Sequence, residues 1–221
     1  MNVGHAKWIV ALVVATIAGL ASGEGFRFSD QDDSAANEAA ARENRIAEDL
    51  SVPCRASLKN RKIMVVIGER QSNGVIEANQ QNYGPHYQAI NKRLQALGLR
   101  TYTPEEIRRQ IAQAEIDAYF RNDPDAALSA SRRLGASFVL KGLISSEATR
   151  NPMMAVNQVS VNMGFTLTAS NGRVISDTEA SASSYAGADV RRMAQTLVDE
   201  NADEVVARLY GDYCRNAGAA K

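Results

Sequence analysis

Between Ser131 and Ser146 the chain reads SRRLGASFVLKGLISS, and this run constrains the fold more than any other. A helix-forming segment closes at Leu134. Gly135 stands where a helix stops in the left-handed conformation that only glycine adopts cheaply. Phe138, Val139, Leu140, Leu143 and Ile144 then follow with little alternation. Such a run suits a strand covered on both faces. Upstream of it, strand and helix alternate. Downstream come antiparallel strands and a closing helix.

Taken in order, Glu24–Asp33 reads as acidic and structureless, and Ser34–Leu50 as a solvated, alanine-rich helix or linker with Ile46 and Leu50 its only large apolar residues. Val52-Pro53-Cys54 ends it, because the residue before proline avoids the helical region. Lys62–Gly68, KIMVVIG, is a buried strand. A long polar loop, Glu69–Pro85, follows; loops beyond about 12 residues are uncommon and often functional. His86–Leu97 is a helix with Ile90, Leu94 and Leu97 inward and Gly98 as its stop. Arg100–Thr103 is a short strand. Thr103-Pro104-Glu105-Glu106 opens a helix with a capping box, and Ile107, Ile111, Ala114 and Ala118 form its inner face. Asp123 caps the next helix, Pro124–Leu134.

Beyond the central strand, Val159, Val161, Met163, Phe165 and Leu167 alternate with polar residues, a half-buried strand of period two. Asn171-Gly172 predicts a type I′ hairpin turn. A last strand runs from Val174 to about Tyr185. Asp189 caps a long helix with Val190, Leu197, Val198, Val205 and Leu209 inward. The tail Arg215–Lys221 reads as disordered. The expectation is therefore one α/β domain over 61–214, built on a mixed five-stranded sheet of order 2-1-3-4-5 with helices packed on it. Helical crossovers make the first three strands parallel, and a hairpin makes the last two antiparallel.

Residues 1–23 read as a cleaved signal peptide: Lys7, then the apolar run Trp8–Ile17, then small residues at Gly19, Ala21 and Gly23. The alternative, a membrane anchor, has a run short of the roughly 20 residues that span a bilayer. No cysteine follows the run to carry a lipid. The expected address is thus the periplasm or the outer-membrane surface, with no membrane insertion after cleavage. Cys54 and Cys214 bracket the domain, and an even count in an oxidising compartment reads as a disulfide; unpaired or intermolecular thiols are the alternative. The 25 basic residues balance the 25 acidic ones, and aromatics are 6% of the chain. Neither a basic excess for phosphates nor a supply of stacking rings is present, which argues against nucleic acid.

The segments KIMVVIG (62–68) and LSASRRLGASFVLKGLIS (128–145) resemble a family of envelope domains. It includes the amino-terminal domain of TolB, the curli secretion protein CsgG, the lipoprotein activators of penicillin-binding proteins and the domains of flagellar assembly protein T. Gly135, Ala136 and Gly142 fit its Leu-Gly-Ala helix end and the glycine beyond the apolar centre of the strand. The resemblance implies an α/β domain over about Arg61–Tyr213 that docks onto an envelope protein complex, with no shared catalytic site, metal or cofactor.

The residues themselves offer little chemistry. His86 has no cysteine pair at zinc-ligand spacing, and no serine sits in a nucleophile elbow. Gly68–Gly74 lacks both G-x-G-x-x-G and the Walker lysine. The carboxyl ends of parallel strands are where ligands sit in open sheets. That makes Glu69, Arg70, Asn73, Tyr83, His86 and Tyr87 the candidate binding surface, with Met153 and Met154 as an adaptable contact pair or a tuck over the sheet edge. The leading expectation is a non-catalytic periplasmic protein docking on a flagellar, secretion or cell-wall assembly. The alternative is a periplasmic hydrolase or small-ligand binder using the Glu69–Tyr87 loop.

Overall fold

Alternation along the first domain strand decides the layering. In the computed structural model, β1 (Lys62–Arg70) sends Ile63 and Val65 to one side of a sheet and Met64 and Val66 to the other, and all four are buried. The structure describes residues 28–70, 76–77, 84–121, 123–150, 152–153, 156–186 and 189–217. The signal-peptide reading and Asn73, Tyr83 and Met154 lie outside them.

The elements in order are α1 (Phe28–Ser51), α2 (Arg55–Leu58), β1, β2 (Ile76–Glu77), α3 (Pro85–Ala96), β3 (Arg100–Thr101), α4 (Pro104–Gln110), α5 (Gln113–Phe120), α6 (Pro124–Leu134), β4 (Phe138–Arg150), β5 (Asn157–Ala169), β6 (Val174–Ala186) and α7 (Val190–Ala217). Two compact units are present, 1–37 and 38–221; the described part of the first is helical. In the second, the five expected strands stand in the expected order. β3 and β4 flank β1 in parallel, β5 pairs β4 antiparallel and β6 pairs β5 antiparallel.

One face of the sheet packs Leu140, Ile144, Val159, Val161, Met163 and Phe165 against α3 and α7. The other packs Met64, Val66 and Val139 against Ile107 of α4, Ile116 and Phe120 of α5, and Leu134 of α6. β4 is therefore covered on both faces over its first half, while Ser146–Arg150 are exposed. Phe165, Ile63, Met64 and Leu140 are among the largest fully buried side chains, each contributing about 1.5–3 kcal/mol by burial. Phe165 lies across Gly142, its register partner, where a Cβ would overlap the ring.

The bridge between Cys54 and Cys214 is formed, with Cα atoms 5.6 Å apart. It joins the segment before β1 to the last helix. Beside it the Tyr210 hydroxyl donates to the Val52 carbonyl at 2.6 Å and accepts from the Cys54 N–H at 3.4 Å.

Several local expectations are corrected. The first helix begins at Phe28 and so takes in residues 28–33 of the acidic stretch that read as structureless. Glu69 and Arg70 belong to β1, and Ile76–Glu77 returns beside them as an antiparallel strand, so the long loop is partly sheet. The helix opened by Thr103 stops at Gln110. Ile111 is extended, and Glu115 restarts the helix by accepting the Ala112 N–H at 3.0 Å. The inner face of α5 is then Ile116 and Phe120, with Ala114 exposed. The β5–β6 turn is not type I′, which needs positive φ at both central residues. Only Gly172 is positive, at 90°, and the Asn171 side chain instead accepts from the Arg173 N–H. Finally, α7 extends to Ala217, because Arg215 pairs with Asp49 and Asp212 and the Asn216 amide donates to the Ile175 carbonyl.

Candidate functional site

The sheet gathers the candidate residues at one end. β1, β4 and β6 all finish there, and α3 and α7 both start there. Arg70 stands level with Ser145, and β4 continues to Arg150 before the chain turns through Pro152-Met153 into β5. At about 3.3 Å per residue the hairpin projects some 16 Å beyond the end of β1. Met153 is 93% exposed near its tip, so it does not tuck over the sheet edge. Tyr185, opposite Gln158, is 54% exposed at the same end.

At the root of this projection lies His86, in the first turn of α3. Its side chain is only 13% exposed. Nε2 is 3.9 Å from Glu69 Oε1, and among the described residues Nδ1 is buried without a hydrogen-bond partner. Burial holds the imidazole below its usual pKa, and the Glu69 carboxylate partly offsets that. A Cβ at Gly84 would stand 3.3 Å from Glu69 Oε1 and crowd that carboxylate slightly. Arg70 is exposed. Tyr87, expected on this surface, is a core residue: it is 5% exposed among Ile90, Leu94 and their neighbours. The structure thus brings Glu69 and His86 together, leaves Arg70 and Met153 exposed, and withdraws Tyr87.

A groove of about 730 Å³ runs from His86 between α3 and α7, past Gln88, Lys92 and Thr196. Arg93 lies in it but offers no free anion site. It donates to Asp203 at 2.7 and 2.8 Å, to the Asp199 side chain at 2.9 Å, and to the Asp199 and Ala89 carbonyls. The guanidinium bond holds the Asp203 carboxyl below its usual range.

Sequence reasoning missed three features. Tyr185 was readable as the one aromatic in a serine- and alanine-rich strand. The Arg93–Asp199–Asp203 cluster joins residues more than 100 positions apart and has no local signal. Lys141 interrupts the apolar run of β4. Its Nζ lies 4.8 Å from the Tyr119 ring centroid and donates to the Tyr119 carbonyl, and burial lowers its pKa. Among the described residues no three His, Cys, Asp or Glu side chains gather as metal ligands, and no helix is long and apolar enough to cross a membrane.

No protein-family model matches the sequence, and no curated protein matches it. Solved structures to which this chain is similar include the PelC dodecamer from Paraburkholderia phytofirmans, 16% identical over 71% of this chain and 92% of that one, with a TM-score of 0.41. The LpoB C-terminal domain from Salmonella enterica is 16% identical over 64% and 94%, with a TM-score of 0.40. Lipoprotein GNA1162 from Neisseria meningitidis is 16% identical over 66% and 97%, with a TM-score of 0.43.

Proposed function

We propose that this is an exported, non-catalytic protein that docks onto a cell-envelope assembly of the kind served by the TolB, CsgG and flagellar assembly protein T domains. The observation that carries the reading is the projecting β4–β5 hairpin with Met153 at 93% exposure. An exposed apolar side chain at the end of the β4–β5–β6 projection suits insertion into a partner's pocket, and methionine adapts to irregular ones. The Cys54–Cys214 bridge supports an oxidising address.

The test is crosslinking in cells from a photoreactive residue placed at Met153, with Lys59 at the opposite end of β1 as control. Envelope proteins captured from position 153 and not from 59 are the expected result. Recovery of soluble monomer alone from both positions overturns docking through this end.

A second reading, a small-ligand binder at Glu69 and His86, draws on the buried Nδ1 that has no partner among the described residues. A compound that stabilises the wild type and not His86→Asn in a thermal-shift screen supports it. Equal shifts in both proteins remove His86 from the site.

A further inference from the structure

β6 forms one edge of the sheet, and no described strand pairs with its outer side. An open edge is a row of unpaired N–H and C=O groups, which proteins usually blunt with proline, bulges, lysine or a covering element. Here the blunting stops early. The ladder is irregular at Ile175, whose carbonyl is taken by Asn216 of α7. From Asp177 to Tyr185 the strand holds no proline and no basic residue and is mostly serine, alanine and threonine. Its faces alternate cleanly. Thr178, Ala180, Ala182 and Ser184 turn toward the helices. Asp177, Glu179, Ser181, Ser183 and Tyr185 are exposed on the other side.

What lies beside the edge defines the seat. The part of α1 from residue 38 to 51 lies beside α7 on a polar seam. Arg42 and Arg45 reach Glu204, and Asp49 reaches Arg215 over Gly211, where a Cβ would overlap the Asp49 carboxylate. On α7, Asn201, Glu204, Arg208, Gly211 and Arg215 recur at spacings of three and four, one stripe of a helix. The helix layer therefore extends past the sheet. Between α1 and β6 runs a groove of about 350 Å³, with Ala41, Ala180 and Asn201 among its lining.

We infer that this groove takes an extended peptide segment of a partner protein as an added strand on β6. The edge reads the backbone of the segment, and the groove supplies side-chain selection. On the α1 side the groove mixes Arg42 and Arg45, already paired with Glu204, with Ala41 and Ala180, which leave room for small polar residues. Asp177, on the open side, and Glu179, exposed at the rim of the groove, stand two residues apart and have no ion-pair partner among the described residues. They match lysine or arginine at alternate positions of the incoming strand. A second copy of this chain fits less well. Edge-to-edge pairing about an axis normal to the sheet would bring its α7 onto the face where α1 already stands.

The test uses the mature, disulfide-bonded protein and a fluorescent decapeptide alternating lysine and serine. Two derivatives carry N-methyl groups on alternate backbone nitrogens, one derivative for each edge of the strand. The expected result is saturable binding of the parent peptide. One derivative should weaken about tenfold or more as hydrogen bonds are lost, while the other binds like the parent. Asp177→Lys and Glu179→Lys should each weaken the parent, and amides within Asp177–Tyr185 should gain exchange protection when it binds. Equal binding of all three peptides overturns the proposal, since charge alone would then suffice. So does absence of saturable binding, or protection of β6 that rises with protein concentration and no peptide, which would assign the edge to a second copy. Crosslinking from Met153 addresses a different surface, so the two proposals stand or fall separately.

Discussion

Removing the Cys54–Cys214 bridge, by reduction or by the Cys54→Ser/Cys214→Ser double variant, is the perturbation whose size follows most directly from the structure. The half-cystines are 160 residues apart, and the chain-entropy relation for a loop of that length gives about 5 kcal/mol at 25 °C. A domain of this size has a total stability of about 5–15 kcal/mol, so the loss is a third of it or more. At about 2–4 °C per kcal/mol the melting temperature should fall by about 10–20 °C. If the effect lies in the unfolded state, the reduced chain should also show a larger urea m-value, because its denatured ensemble expands further. Native contacts at the bridge give an internal control. Tyr210→Phe removes the hydroxyl that joins Val52 and Cys54 and should cost about 1 kcal/mol whether or not the bridge is closed. Calorimetry and urea titration of the four proteins, with thiols counted under denaturing conditions, supply the measurements. A melting shift below about 3 °C, with the bridge verified by mass spectrometry, would refute the entropic reasoning. Two free thiols in exported protein would refute the bridge.

Gly142→Ala sets a methyl group against the Phe165 ring and near Ile67; Phe165 is fully buried and Ile67 packs half-buried against the same core, so overpacking should cost about 1–3 kcal/mol by urea denaturation. The pKa of His86 is lowered in the folded state by burial, so as pH drops below the ordinary histidine value of about 6.5 the folded protein binds fewer protons than the unfolded one. Stability should be full above about pH 6.5 and fall as pH drops through the folded pKa, and His86→Asn should flatten that part of a melting-temperature profile. Arg93→Ala breaks the pairs to Asp199 and Asp203 between α3 and α7. Both carboxylates are more than half exposed, so the loss should be about 1 kcal/mol and should shrink in 1 M salt, where the screening length is about 3 Å.

Local chemistry was enough for much of the fold. Gly135 ends α6 in the left-handed region at φ 64°, as the residue type requires. Thr103 and Glu106 form their capping box. Period-two alternation placed Val159 to Leu167 with one face buried, and parallel pairing followed from helical connections between the first three strands. These features depend on φ preference, side-chain reach and spacing within a few residues, all of which a sequence states outright. The candidate site was legible only as a region. Nothing local separates His86, drawn under cover, or Tyr87, drawn into the core, from the exposed Arg70. Nor does anything near Met153 show that β4 outruns β1 and leaves it at an arm's tip.

The chain by itself therefore determined the type of most elements, the strand order and the pairing of its two cysteines. Tertiary structure alone decided which polar residues are covered, that Arg42, Arg45 and Asp49 meet α7, and which strand keeps an open edge. The physical reason is that burial and edge exposure depend on relative strand lengths and on which helices stack over them. Those quantities arise from contacts between residues far apart in sequence, such as Arg45 with Glu204 at a separation of 159, and no local pattern encodes them.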